Sequence, residues 1–97
     1  MAMQPAMLQR DMPRISQFYG IVIAMYFNDH PPPHFHALYG GAEARFDLER
    51  LELLEGRLPR RAVALVLEWA GRHRSELARN WERARAGLPL DTIPGLD

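Results

Sequence analysis

The segment Asn28-Asp29-His30-Pro31-Pro32-Pro33-His34-Phe35-His36 concentrates the residues of this chain best suited to chemistry. His34 and His36 are one residue apart, so on a strand both imidazoles leave the same face, with Cα atoms roughly 6–7 Å apart. That spacing suits a metal ion. Asp29 and His30 enter from the preceding turn, and Asp47 comes from further along the chain. His34, His36, Asp47, Asp29 and His30 are therefore candidate ligands for a divalent transition metal such as Zn, Mn, Fe or Ni. The same residue types also allow a metal-free reading. Tyr26, His34, His36, Arg45 and Asp47 would supply a general base, a general acid and a cation for a pentavalent phosphate, the set a small ribonuclease-like enzyme uses. A plainer alternative has His34 and His36 bonded across the strands to Asp47 and Arg45, with His30 a solvated turn residue.

These side chains need a sheet to hold them. Phe18 to Phe27 is almost continuously aromatic, β-branched or aliphatic, which predicts a buried strand. Pro31-Pro32-Pro33 cannot donate to a ladder, so that strand must end before them. A second strand, His34 to Tyr39, follows at once. Gly40-Gly41 supplies the positive φ angles of a two-residue hairpin, and Ala42 to Glu49 alternates apolar and charged residues. Placing Tyr39 opposite Ala42 sets Phe35 against Phe46 and Ala37 against Ala44 on one face. His36 then faces Arg45, and His34 faces Asp47, on the other. The Phe/Ala face is expected in the core and the His/Arg/Asp face in solvent.

A short further strand is expected near Leu51–Leu54, after which Gly56 ends the sheet and Leu58-Pro59 opens a helix. Val63, Val66, Leu67, Ala70, Leu77, Trp81 and Ala84 recur at helical spacing, and Gly87 and Pro89 close the element. Arg74 interrupts this stripe. A continuous helix from Pro59 to Ala86 would span roughly 42 Å, whereas strands of eight residues reach only about 27 Å. Either the helix breaks near Gly71 and folds Leu77 and Trp81 back onto the sheet, or its second half projects and presents them to a partner, with Trp69, off the main stripe, either covered by Ile15–Tyr19 or exposed for the same association. The second is the expectation. The fold class is thus α+β: an antiparallel β-meander of three to four strands followed by a long C-terminal amphipathic helix, with a break near Gly71 as the alternative.

With 97 residues the chain has room for one modest core. It is 47% hydrophobic and 25% charged, which argues against general disorder. Residues 1–12 show no periodicity and read as a disordered leader to a domain spanning 13–97. The absence of cysteine excludes a disulfide framework and a thiolate metal site, and fits a cytoplasmic protein. No apolar run is long enough for a membrane span. Formal net charge is zero, so no global field selects nucleic acid. Arginines 72, 79 and 83 could touch phosphates, but Glu76 and Glu82 are interleaved with them.

Two stretches, MPRISQFYGIVIAMYFNDHPPPHFHALYG and EGRLPRRAVALVLEWAGRHRSELARNWERARAGLPL, with the acidic strand between them, closely resemble the bacterial domain-of-unknown-function family DUF4160. The resemblance places Asn28, Asp29, His30, Pro32, His34, Phe35, His36, Leu58, Pro59, Trp69, His73 and Trp81 at the family's motif positions and carries no catalytic role. Members look like small proteins encoded beside another uncharacterised family, DUF2442, in a toxin–antitoxin-like arrangement. The resemblance therefore implies an operon-encoded interaction protein, binding either a DUF2442-like partner or a second copy of itself.

Overall fold

The computed structural model of the protein describes residues 13–97; the leader expected at 1–12 lies outside them. Five strands run in chain order: β1 (Arg14–Phe18), β2 (Ile21–Ala24), β3 (His34–Tyr39), β4 (Ala42–Asp47) and β5 (Glu52–Gly56). Each pairs antiparallel with its chain neighbour, giving one meander of order β1-β2-β3-β4-β5. Two helices follow, α1 (Arg60–Arg72) and α2 (Arg74–Ala86).

The β3–β4 register is the expected one at every position. Gly40 and Gly41 take φ of 55° and 92°. Tyr39 opposes Ala42, Phe35 opposes Phe46, His36 opposes Arg45 and His34 opposes Asp47. The long apolar strand expected over Phe18–Phe27 is instead the junction of two strands. Phe18 ends β1, Tyr19 and Gly20 form a turn with φ of 49° and 78°, and Ile21 pairs back onto Phe18. The chain leaves the sheet after Ala24, and the Met25 N–H bonds to the Pro13 carbonyl. The fifth strand lies slightly later than expected and pairs with β4 through an irregularity between Arg45 and Phe46.

The sheet thus has five strands where three to four were expected, and of the two expectations for the helix the break near Gly71, not the continuous element, is the one found. Helical geometry stops at His73, two residues past Gly71, where φ is −130°. The second half then restarts as α2 and turns Leu77, Trp81 and Ala84 into the core. Trp69, Leu77 and Trp81, expected to meet a partner, are 0%, 0% and 3% exposed and belong to the chain's own interior. Burial of this apolar area is the larger favourable term for a chain so short, so the helix bends rather than projects. The break also resolves the Arg74 anomaly. Arg74 opens a new helix and donates to the Glu49 carbonyl from the surface.

Trp69 anchors the core, its ring set against Phe18 and Phe35 and its Nε1–H donating to the Pro94 carbonyl. The C-terminal tail is held at further points. The Asn80 side chain makes two hydrogen bonds with the Asp91 backbone, and the Ile93 N–H bonds to the Ile15 carbonyl on β1.

Candidate metal centre

β3 turns His34 and His36 to one face, as its period of two requires. That face is not open. His34 is 2% exposed and His36 8%, because the connection from β2 to β3 folds back over them. The connection is tied to α2 by a bond from the Asn28 N–H to the Ala84 carbonyl. Tyr26 stands edge-on to His36, and Trp81 packs beside His34. The three prolines follow Asp29 and His30, with a cis peptide bond between Pro31 and Pro32.

This fold-back brings Asp29 between the histidines. Its Oδ2 lies 2.9 Å from His34 Nε2 and 3.5 Å from His36 Nε2. The opposite ring nitrogens are already committed. His34 Nδ1 is 2.7 Å from the Pro32 carbonyl, which can only accept, so that nitrogen carries a proton. His36 Nδ1 is 2.9 Å from Glu43 Oε2 and likewise donates. With both Nδ1 atoms protonated, both Nε2 lone pairs face one carboxylate. Such an arrangement requires a cation between them, either a proton that makes an imidazolium or a metal ion.

One ligand atom each from Asp29, His34 and His36 lies within 4.8 Å of the others. In a tetrahedral site with bonds near 2.0–2.1 Å, donor atoms stand about 3.3 Å apart. The two N···O separations, 2.9 and 3.5 Å, bracket that value. Nδ1 donation to a backbone carbonyl or carboxylate is also the usual outer support of a metal-binding histidine. Burial would by itself raise the Asp29 carboxyl. The attraction of His34 and hydrogen bonds from the His30 N–H, His36 and His34 outweigh it and hold the group below the ordinary 3.8.

The remaining candidates are placed elsewhere. Asp47 is opposite His34 in register but turns along its own chain, accepting from the Glu49 and Arg50 N–H groups at 2.8 Å. Arg45 pairs with Glu55. His30 is 86% exposed and reaches Asp29 Oδ1 only at 3.7 Å. His73 sits at the helix break and bonds to Glu76. Of the arginines considered for phosphate, Arg72 is held by Glu68 and Arg83 by the Pro89 carbonyl. Glu43 is the residue the sequence reading lacked. It lies on β4 two positions from Arg45, making it the diagonal neighbour of His36 on the same face, a reach long side chains cover.

The family model described as a domain of unknown function, DUF4160, matches residues 20–82, a span that contains Asp29, His34, His36 and Glu43. The chain belongs to the DUF4160 family. No curated protein and no solved structure matches it. Among the described residues of this DUF4160 protein, no helix is long and apolar enough to cross a membrane.

Proposed function

We infer that this DUF4160 protein binds a divalent transition metal through Asp29, His34 and His36. The observation that carries the reading is the convergence of both Nε2 atoms on Asp29 Oδ2 while both Nδ1 atoms are occupied by acceptors. Two nitrogens and one oxygen suit Zn, Fe, Mn or Ni. Three protein ligands leave coordination positions open, as in sites that act on small molecules, whereas closed structural centres use four. Metal-assisted hydrolysis, including phosphodiester cleavage of the ribonuclease-like kind, is the enzymatic form this site would take.

Tag-free protein, stripped with chelator and titrated calorimetrically with Zn²⁺, Mn²⁺, Fe²⁺ and Ni²⁺, is expected to bind at least one of them near one equivalent. His34→Ala and Asp29→Asn should each abolish that binding. Stripped protein that stays folded and takes up none of the four metals would sink the reading.

A second reading, an operon-encoded toxin–antitoxin-type interaction protein, is favoured by β5. All five of its residues are exposed, Leu53 and Leu54 among them, and its outer edge pairs with no other strand among the described residues. Unpaired edges accept strands from other chains. Light scattering on the purified chain, and co-purification with a DUF2442-like neighbour, test it. A strictly monomeric chain that captures no such neighbour would count against it.

A further inference from the structure

At the end of β3 away from His34, the chain presents aromatic rings and unpaired cations together. Tyr19 holds φ of 49° in the β1–β2 turn and keeps its ring 56% exposed. Turns of this class favour Asn, Asp or Gly, so an exposed tyrosine there is not explained by local geometry. Tyr39 lies against the same turn, its ring 3.5 Å from where a Cβ on Gly20 would stand. The two tyrosines line a cleft of 490 Å³ together with Ile21, Ala62, Leu65 and Arg61.

Arg57, Arg60 and Arg61 cluster where β5 leads into α1, and among the described residues none of their guanidinium groups has an ion-pair or hydrogen-bond partner. The first turn of α1 carries no acid to answer them. Of the charged residues lining the cleft, Glu68 and Arg72 pair with each other at 2.7 Å, which leaves Arg61 as its free cation and Asp97 as its free acid.

We propose that this cleft binds a nucleotide unit, its base stacked on Tyr19 and Tyr39 and its phosphate held by Arg61. Every base has a π-face, so stacking on tyrosine is tolerant of sequence. The guanidinium fork matches phosphate oxygens. The volume falls within the range of small-ligand sites. A free nucleotide and a single-stranded nucleic acid present the same chemistry here. No residue of the cleft belongs to the Asp29 site, so the proposal stands independently of metal binding.

The test is an NMR titration of the isotope-labelled, tag-free full chain in chelator, using AMP, adenosine and a short oligoadenylate. AMP is expected to shift the amides around Tyr19, Tyr39 and Arg61 saturably, with adenosine about tenfold weaker for want of the phosphate. Tyr19→Asn suits the turn and should fold; it and Arg61→Gln should each weaken AMP about tenfold. An oligoadenylate that binds more tightly than AMP, with steeper salt dependence, upholds the proposal with a nucleic-acid strand as the source. Equal affinity upholds it with the free nucleotide. The proposal is overturned by three results: no saturable shift with AMP or oligoadenylate, shifts confined to Asp29–His36, or unchanged AMP affinity in either folded variant.

Discussion

Asp29 Oδ2 stands 2.9 Å from His34 Nε2, although the other nitrogen of that ring is committed to the Pro32 carbonyl. The pairing is stable only with positive charge between the two atoms. Removing the outer support should therefore weaken metal binding without destroying it. Glu43→Gln is expected to reduce affinity about 10- to 100-fold by calorimetry, the usual effect of losing such a partner. Asp29→Asn removes a ligand and should leave thermal unfolding insensitive to added metal. The parent protein at a hundredfold excess over Kd should gain about 2.7 kcal/mol.

Acid should expose the same carboxylate in the metal-free chain. The Asp29 group is held below its ordinary 3.8, so the folded state binds its proton less readily than the unfolded state does. Its contribution is fully present above about pH 4 and is lost as pH falls through the lower folded value. Urea unfolding across that window should show parent stability falling with acid, and Asp29→Asn should have a shallower slope. Equal slopes would mean that the His34–Asp29 pairing does not form in solution.

Trp81 distinguishes a helix that packs at home from one that waits for a partner. Its burial in the chain's own core predicts that Trp81→Ala costs about 3–5 kcal/mol of unfolding free energy in the isolated protein. A residue reserved for another chain would leave that quantity nearly unchanged.

Gly71 tests where the helices part. It lies within α1, with helical neighbours on both sides, and a Cβ there would meet only Leu51 Cδ1 at 3.9 Å. Gly71→Ala should stabilise the protein by about 0.5–1 kcal/mol, the helix-interior difference between the two residues. A loss of stability would move the hinge from His73 to Gly71.

The β3–β4 hairpin was legible because two signals coincide there, the Gly40-Gly41 turn and the matched alternation of Phe35, Ala37, Ala44 and Phe46. At the Tyr19-Gly20 turn the one local signal was Gly20, outweighed by the apolar residues on both sides, since a tyrosine at positive φ carries no turn propensity. The choice between Asp47 and Asp29 was decided by competition for hydrogen bonds. Asp47 satisfies the backbone of its own turn. Asp29 reaches the histidines from a loop that distant groups help to hold, the Ala84 carbonyl on α2 and the Leu48 N–H after β4. The helix break was hidden because the apolar stripe keeps the same period on both sides of His73. The hints were the mismatch between helix and strand lengths, Gly71 inside the helix and Arg74 within the apolar stripe.

The tail bond from Ile93 to Ile15 gives the sheet a direction. The tail runs beside β1, where Gly95 approaches Gln17 and Phe18 too closely to admit a side chain, while among the described residues β5 pairs on one side only. A copy that joined another through β5 would present only its tail-covered edge to a third. Strand pairing between copies of this chain therefore terminates at a closed pair and cannot propagate into a filament.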